Sequence, residues 1–428
     1  MKQGWEIKKL GEVCDFQGGS QPPKSQFIYE PKKGYVRFLQ IRDFASDKNI
    51  TYIPESKKNR YCNEEDILLG RYGASVGKVL VNKAGAYNVA VMKTIPNETI
   101  LYKRYLYYYL NTEDFQIRLL NTASRSAQDG FSKDDIFDFP ILIPPLPEQQ
   151  RIFSILNEAF AAIAKAKANA EQNLKNAKEL FESYLQGVFE NGNWEEQELG
   201  DLCMLITKGS SPKWQGIKYV DEPGILFVTS ENVGEGKMLL NERKYVEEKF
   251  NLKDKKSILK KGDVLTNIVG ASIGRTAIYD IDDFANINQA VCILRCNPKY
   301  ILNNYLMNLL NSPFLKKILH DNEVNTARAN LSLGFFNKLS IPCPTMAEQQ
   351  AIVRQLDALR AETQKLEAVY QKKMDDLEEL KKSILQKAFA GELGDGEPAE
   401  PKTEKSRRDD KIIENKINHP RTNPEGVL

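Results

Sequence analysis

The phrase GASVGK, from Gly73 to Lys78, sets glycines ahead of a lysine, as a loop that cradles phosphate would. It lacks the four-residue spacing from Gly to Gly-Lys, and Val79 stands where such a loop needs a Ser or Thr for the metal. Its later echo, GASIGR, ends on Arg275 instead of Lys. Both phrases read as turns between strands, and Gly73/Gly77 and Gly270/Gly274 read as glycines allowing turns that a Cβ would forbid. The 6 cysteines (Cys14, Cys62, Cys203, Cys292, Cys296, Cys343) are scattered. Cys292 and Cys296 lie four apart with no second pair, so a zinc site or a disulfide framework is not expected. Of 2 histidines, His419 lies in a charged terminal stretch, leaving only His320 for acid–base work.

Two further phrases, NPKY (Asn297 to Tyr300) and NSPF (Asn311 to Phe314), approach the Asn/Asp-Pro-Pro-aromatic motif of amino-methyltransferases. Each departs at a proline, and no glycine-rich cofactor loop precedes them. Carboxylate pairs such as Glu64-Glu65 and Asp134-Asp135 read as solvated faces. No catalytic site is expected. A net charge of +2 excludes a uniformly basic coat, so any nucleic-acid contact must come from local patches. No run approaches the roughly 18 apolar residues of a membrane span. The opening MKQGWEIKKL lacks the apolar stretch of a signal peptide, and a cytoplasmic protein is expected.

The elements that position these residues come in duplicate. WEIKKLGEVC (Trp5 to Cys14) returns 189 positions later as WEEQELGDLC (Trp194 to Cys203). FLQIRDF from Phe38 faces FVTSENV from Phe227 at the same offset. DILLGRYGASVGK from Asp66 matches DVLTNIVGASIGR from Asp263 at 197, and YLYYYLN from Tyr105 matches YLMNLLN from Tyr305 at 200. Glu148-Gln149-Gln150 recurs as Glu348-Gln349-Gln350. Preserved order with small insertions between matches marks a tandem duplication.

Each copy opens with a domain of about 145 residues, within the ordinary size of one domain. Short Val/Ile/Tyr runs such as GKVLV (Gly77 to Val81) and AVCIL (Ala290 to Leu294) predict strands, and the YLYYYLN and YLMNLLN segments predict helices. A long helix follows. Thr345 and Glu348 form a capping box, and Pro147 suits a first helical turn. The second copy runs Ile352, Leu356, Leu359, Thr363, Leu366, Tyr370, Lys373, Leu377, Leu380, Ile384, a heptad seam. The first runs Ile152, Leu156, Ala159, Ile163, Ala166, Ala170, Asn173, Ala177, Leu180, Tyr184, with a small, alanine-rich middle. Gly192 and Gly391 stand at the expected stops. The predicted class is α+β: two tandem mixed α/β domains at 1–147 and 193–345, with long helices at 148–192 and 346–393. Residues 394–428 are expected to form a disordered tail. About forty helical residues span roughly 60 Å and need a partner for their apolar stripe. The other copy's helix is the nearest candidate, and the residues alone do not choose parallel from antiparallel pairing.

Two variable domains, each followed by a helix opening on PLPEQQ-like sequence and closing on a phrase like SILQKAFAGEL (Ser383 to Leu393), resemble the DNA specificity subunit of type I restriction-modification systems. The resemblance extends to about Gly394. It implies two target recognition domains, one per half of a bipartite site, and helices paired as an antiparallel coiled coil that acts as a ruler. It implies partners too: double-stranded DNA, two DNA adenine methyltransferase subunits, and motor-nuclease restriction subunits bound through them. S-adenosylmethionine, ATP and Mg would sit on those partners, with no cofactor, metal or membrane contact on this chain. A coiled-coil adaptor that binds no DNA, or an orphan specificity subunit serving methylation only, are the alternatives.

Arg and Asn/Gln side chains read base edges, while Lys and Ser/Thr hold phosphates. On the family's pattern the first copy offers Ser20, Gln21 and Lys24 in its opening loop. Arg42, Arg71, Tyr72, Arg125 and Gln128 follow in comparable loops. The second copy offers Lys208, Ser210 and Lys213, then Ser230, Asn232, Asn267, Arg328 and Asn330. If the helices are a ruler of about 60 Å, the half-sites lie within roughly 18 base pairs.

Overall fold

The computed structural model describes residues 4–125, 130–323 and 330–393; the expected tail, His419, Gln128 and Arg328 lie outside them. Two compact units emerge, one built from residues up to Lys165 together with those from Leu377 on, the other from Ala166 to Asp376. The units are discontinuous, unlike the linear division expected from the repeat. Two helices of 45 residues each, Leu146–Glu190 and Met346–Ala390, pass through both.

In unit 1 the strand Glu6–Lys9 pairs antiparallel with Pro140–Ile143 and closes the domain onto the start of the first long helix. Cys14–Gly18, Val91–Pro96, Leu68–Gly70 and Val79–Leu80 form a four-stranded antiparallel sheet in that spatial order. A second sheet is built on a parallel pair, Tyr35–Leu39 beside Gly85–Tyr87. Unit 2 repeats the plan. Glu196–Glu198 pairs with Ser340–Pro342, and Cys203–Lys208, Val291–Cys296, Val264–Asn267 and Thr276–Ile278 form the equivalent sheet. Ile225–Val228 and Ala285–Ile287 supply the parallel pair. The glycine phrases are turns between paired strands, with Gly73 and Gly77, and Gly270 and Gly274, all at positive φ.

Each unit holds two long-helix segments running in opposite directions. In unit 1, Ile152 and Leu156 share a core with Leu385 and Ala388, and the Lys381 ammonium lies 5.4 Å over the Phe160 ring. In unit 2, Ile352 and Leu356 share a core with Leu185 and Phe189, and the Tyr184 hydroxyl donates to Gln355 at 3.3 Å. The end of each helix thus completes the core of the other copy's domain: Phe389 packs 4.8 Å from Tyr105, and Phe189 5.6 Å from Tyr305.

The predicted seam is buried at Ile152, Leu156, Ile163, Ile352 and Leu356 and half-buried at Leu359, Leu366, Leu377 and Ile384. Leu180 and Leu380 depart from it, each 47% exposed. Burial passes instead to Leu185 and Phe189, and to Leu385 and Ala388. A straight helix drifts about 20° per heptad against a strict seven-residue seam, so after four heptads the buried stripe has moved on by about one residue. Thr345 and Glu348 make the capping box: the Thr345 hydroxyl and amide donate to the Glu348 carboxylate at 2.7 and 2.8 Å. The helices stop at Glu190 and Ala390, just before Gly192 and Gly391.

Among the described residues no helix is long and apolar enough to cross a membrane, and no cluster of His, Cys, Asp and Glu could hold a metal. All six cysteines are free thiols. The methyltransferase-like phrases are structural. Asn297 accepts the Lys299 amide in a tight turn, and Ser312 caps the helix that Pro313 opens.

Candidate nucleic-acid interface

Strand register gathers the loops of unit 1 at one edge. Gly18 ends its strand opposite Met92, Gly70 ends opposite Val91, and Leu39 ends beside Tyr87 in the parallel pair. The loops leaving those ends emerge together and are tied by backbone bonds. Ser20 N–H donates to Tyr87 O at 3.0 Å, Asn88 N–H to Leu39 O at 3.1 Å, and Arg71 N–H to Ala90 O at 2.9 Å. The approach at Gly19 is so close that a Cβ would stand 2.0 Å from the Asn88 carbonyl oxygen. Gly209 repeats this in unit 2, 1.9 Å from the Ile287 carbonyl oxygen. There, Lys208 ends opposite Cys292, Asn267 opposite Val291, and Val228 beside Ile287.

Several expected residues are exposed to solvent. Gln21, Lys24, Arg42 and Arg125 are exposed in unit 1, as are Lys208 and Lys213 in unit 2. Arg42 donates to the Thr51 hydroxyl at 3.0 Å, above the buried Asp43, whose carboxyl is pushed up by burial. Arg71 is half-buried: its Nε donates to Phe131 O at 3.1 Å while the guanidinium lies 5.0 Å over the Tyr72 ring. Tyr72 bridges to Gly130, and Val269 bridges to the half-buried Asn330, so Gly130 and Asn330 join the edge in their respective units. Ser20 is half-buried, its hydroxyl accepting the Arg60 amide at 3.4 Å.

Others serve the frame. Asn232 is 6% exposed and its amide nitrogen donates to Leu239 O and Glu242 O, while its oxygen caps Thr229. Asn267 is fully buried and donates to Ser230 O at 2.9 Å. Both differ from the expectation of a base contact, because loops that converge this tightly need side-chain amides to satisfy their backbone. The Ser210 hydroxyl is likewise committed to Asp254, and Ser230 is half-buried.

The repeat also marked residues whose role sequence reasoning did not assign. Gln149 and Gln349 are fully buried. Gln149 donates to Ile100 O and Pro144 O at 2.8 Å and accepts the Tyr102 amide at 2.8 Å. Gln349 does the same with Tyr300 O, Pro344 O and the Leu302 amide. One amide therefore locks each long helix to its own domain. The signal was present in the repeated Glu-Gln-Gln, but nothing in the sequence named its partners.

The model of the type I restriction modification DNA specificity domain matches residues 2–175 and again 191–373, one match per copy. The chain belongs to that family. Among curated members of the type I specificity family, the MjaVIII specificity subunit of Methanocaldococcus jannaschii is 24% identical, covering 91% of this chain and 93% of its own length. The EcoBI specificity subunit of Escherichia coli is 26% identical over 91% of this chain and 86% of its own. The fold is shared with a chain solved in work on assembly and conformational transition of the type I R-M system, with a TM-score of 0.74 at 19% identity, covering 92% of this chain and 99% of that one. It is shared too with the crystallised HsdS subunit of Thermoanaerobacter tengcongensis, TM-score 0.59 at 19% identity, over 92% and 98% of the two chains. A type I specificity chain recognises DNA sequence and is not itself the enzyme. Its two domains, each of mixed sheet and helix, are the two recognition domains.

Proposed function

We propose that this chain reads a bipartite DNA site, one half-site per unit, for a type I restriction-modification assembly. The observation that carries the reading is the pair of loop edges: one strand frame, built twice, presents different polar residues at equivalent places. Lys24, Arg42, Arg71 and Arg125, with Ser20, Gln21 and Tyr72, would work the first half-site. Lys208, Lys213 and Asn330 would work the second, with Ser210, Ser230, Asn232 and Asn267 shaping its loops from behind. Gln128 and Arg328 belong to the same proposed sets. The long helices would dock two DNA adenine methyltransferase subunits, and restriction subunits through them. S-adenosylmethionine, ATP and Mg would be used by those partners, in the cytoplasm.

The test is single-molecule methylation sequencing of host DNA with and without the gene. Gene-dependent adenine methylation at one bipartite motif is expected, and its absence would overturn the reading. A salt titration adds a second check, since phosphate contacts make affinity fall steeply with ionic strength while a protein-binding adaptor shows no DNA affinity to lose.

A further inference from the structure

The opening loops of the two units share a plan, the first being one residue longer between its glycine and its lysine. Each leaves its strand through a close-packed glycine, Gly19 or Gly209, and then makes a single turn of 3₁₀ helix, Lys24–Gln26 or Lys213–Gln215. Lysine opens both turns and glutamine closes both. Only the middle residue changes character: Ser25 in unit 1, Trp214 in unit 2.

Trp214 is 91% exposed, the most exposed large apolar side chain among the described residues. Leaving an indole in water forgoes the burial its apolar surface could have, and the fold does not require it to stand there. The turn beneath it is fixed. Lys253 donates to the Gln215 carbonyl at 2.7 Å, Gly216 takes the left-handed conformation, and Ile217 is buried with Phe227 and Phe250. The tied turn therefore presents an exposed aromatic next to the exposed Lys213, in the loop that follows the strand end at Lys208. Trp5 is buried and Trp194 half-buried, so neither resembles it.

We propose that Trp214 is a specificity-determining contact of the second unit, laying its indole on the apolar surface of a base in the half-site that unit 2 reads. This rests on the DNA reading above. An indole face has no hydrogen-bond code. It discriminates through the thymine methyl group in the major groove, or through the ease of opening a base step in the minor groove. Ser25 at the same place in unit 1 offers only a hydroxyl, so the two half-sites are read by different means at this position.

The experiment compares genomic methylation in cells carrying the intact wild-type chain, Trp214→Ala, Trp214→Phe and Ser25→Ala. Aromatic stacking on a base is worth roughly ten- to hundred-fold on alanine substitution. Trp214→Ala should therefore cut the methylated fraction at the motif about ten-fold or make one position of one half-site degenerate. Trp214→Phe should keep most of the preference, and Ser25→Ala should leave that half-site untouched. Thymine at the affected position marks methyl contact; a pyrimidine–purine step marks insertion. If wild-type gives a bipartite motif and Trp214→Ala methylates it to the same extent and fidelity, the proposal is wrong while the DNA reading stands. If wild-type yields no motif, the DNA reading itself fails and takes the proposal with it.

Discussion

Unit 1 and unit 2 place the same aspartate at the same strand start, Asp66 and Asp263, and hold it in different ways. Asp263 accepts both arms of the Arg295 guanidinium, at 2.7 and 2.8 Å, with its side chain only 2% exposed. Asp66 has two lysines at looser range, Lys93 at 3.4 Å and Lys103 at 3.7 Å. The strand position that carries Arg295 in unit 2 carries Ile95 in unit 1, and Ile95 is 42% exposed. In both units the carboxylate also accepts a turn amide, from Asn63 at 3.0 Å or Lys260 at 2.7 Å. The backbone role is therefore common to the copies, and the ion pair is what diverged. The frame tolerates either solution because the turn bond, not the charge partner, fixes the start of the strand.

That difference can be broken directly. Asp263→Ala strands a partly buried guanidinium and should destabilise unit 2 by about 3–5 kcal/mol. Asp66→Ala loses the same kind of turn bond but only long lysine contacts, and should cost about 1–2 kcal/mol. Hydrogen exchange over 264–267 and 291–296, against 68–70 and 91–96, measures the two effects in separate units. Equal losses would mean that the turn bond dominates and the bidentate pair adds nothing.

The duplication, the long helices and their caps were legible because each is written locally. Repeated words, a heptad seam, Thr345 with Glu348, and glycines past the helix ends all act within a few residues of themselves. The late shift of the seam at Leu180 and Leu380 was not, since it accumulates over four heptads and shows only when the partner is in place. The units' discontinuity was hidden for a similar reason: nothing near Leu385 or Phe389 announces that they finish a core begun at Trp5. At the loop edges, residue type was a fair guide to exposed cations and a poor one to amides. Asn232 and Asn267 carry the base-reading chemistry, yet backbone carbonyls claim it first, from the following turn at Asn232 and from a separate loop at Asn267.

The helix pairs sharpen the comparison at a smaller scale. Unit 1 stacks the Lys381 ammonium on Phe160 at 5.4 Å, and unit 2 stacks the Arg360 guanidinium on Phe181 at 5.0 Å. By the repeat, Arg360 stands where Phe160 does and Lys381 where Phe181 does. The first helix supplies both aromatics and the second both cations. Arg360 also donates to Asn308 at 2.5 Å, in the place where unit 1 sets Tyr108 at 5.4 Å from Phe160. Burial lowers the Arg360 guanidinium from its usual value, with Asp357 opposing. Arg360→Ala should therefore cost about 2–3 kcal/mol, the sum of about 1 kcal/mol for a partly desolvated cation–π contact and about 1.5–2 kcal/mol for a charged hydrogen bond. Lys381→Ala, at an exposed site, should cost about 0.5–1 kcal/mol. Urea unfolding of each full-length variant measures both; a larger loss at Lys381 would reverse the assignment of the tighter contact to unit 2.

The smallest expected effect concerns the openings of the two long helices. Glu348 is held below the usual carboxylate range by the Thr345 hydroxyl and amide. Glu148 at the equivalent place pairs with Arg151 at 2.7 Å behind a proline-led start. A carboxylate with a depressed native pKa adds stability above its unfolded value, near 4.3 for Glu, and that stability is lost as pH falls through the lowered native value. The second helix should accordingly loosen first at its opening turn in acid. Glu348→Gln keeps an acceptor for the Thr345 amide, because glutamine also serves a capping box, and removes the titrating proton. Hydrogen exchange at 346–350, followed from neutral pH into acid, should then lose its pH-dependent increase in the variant while 146–150 behaves as in wild-type. An unchanged profile at 346–350 would show that the cap does not govern how this helix begins.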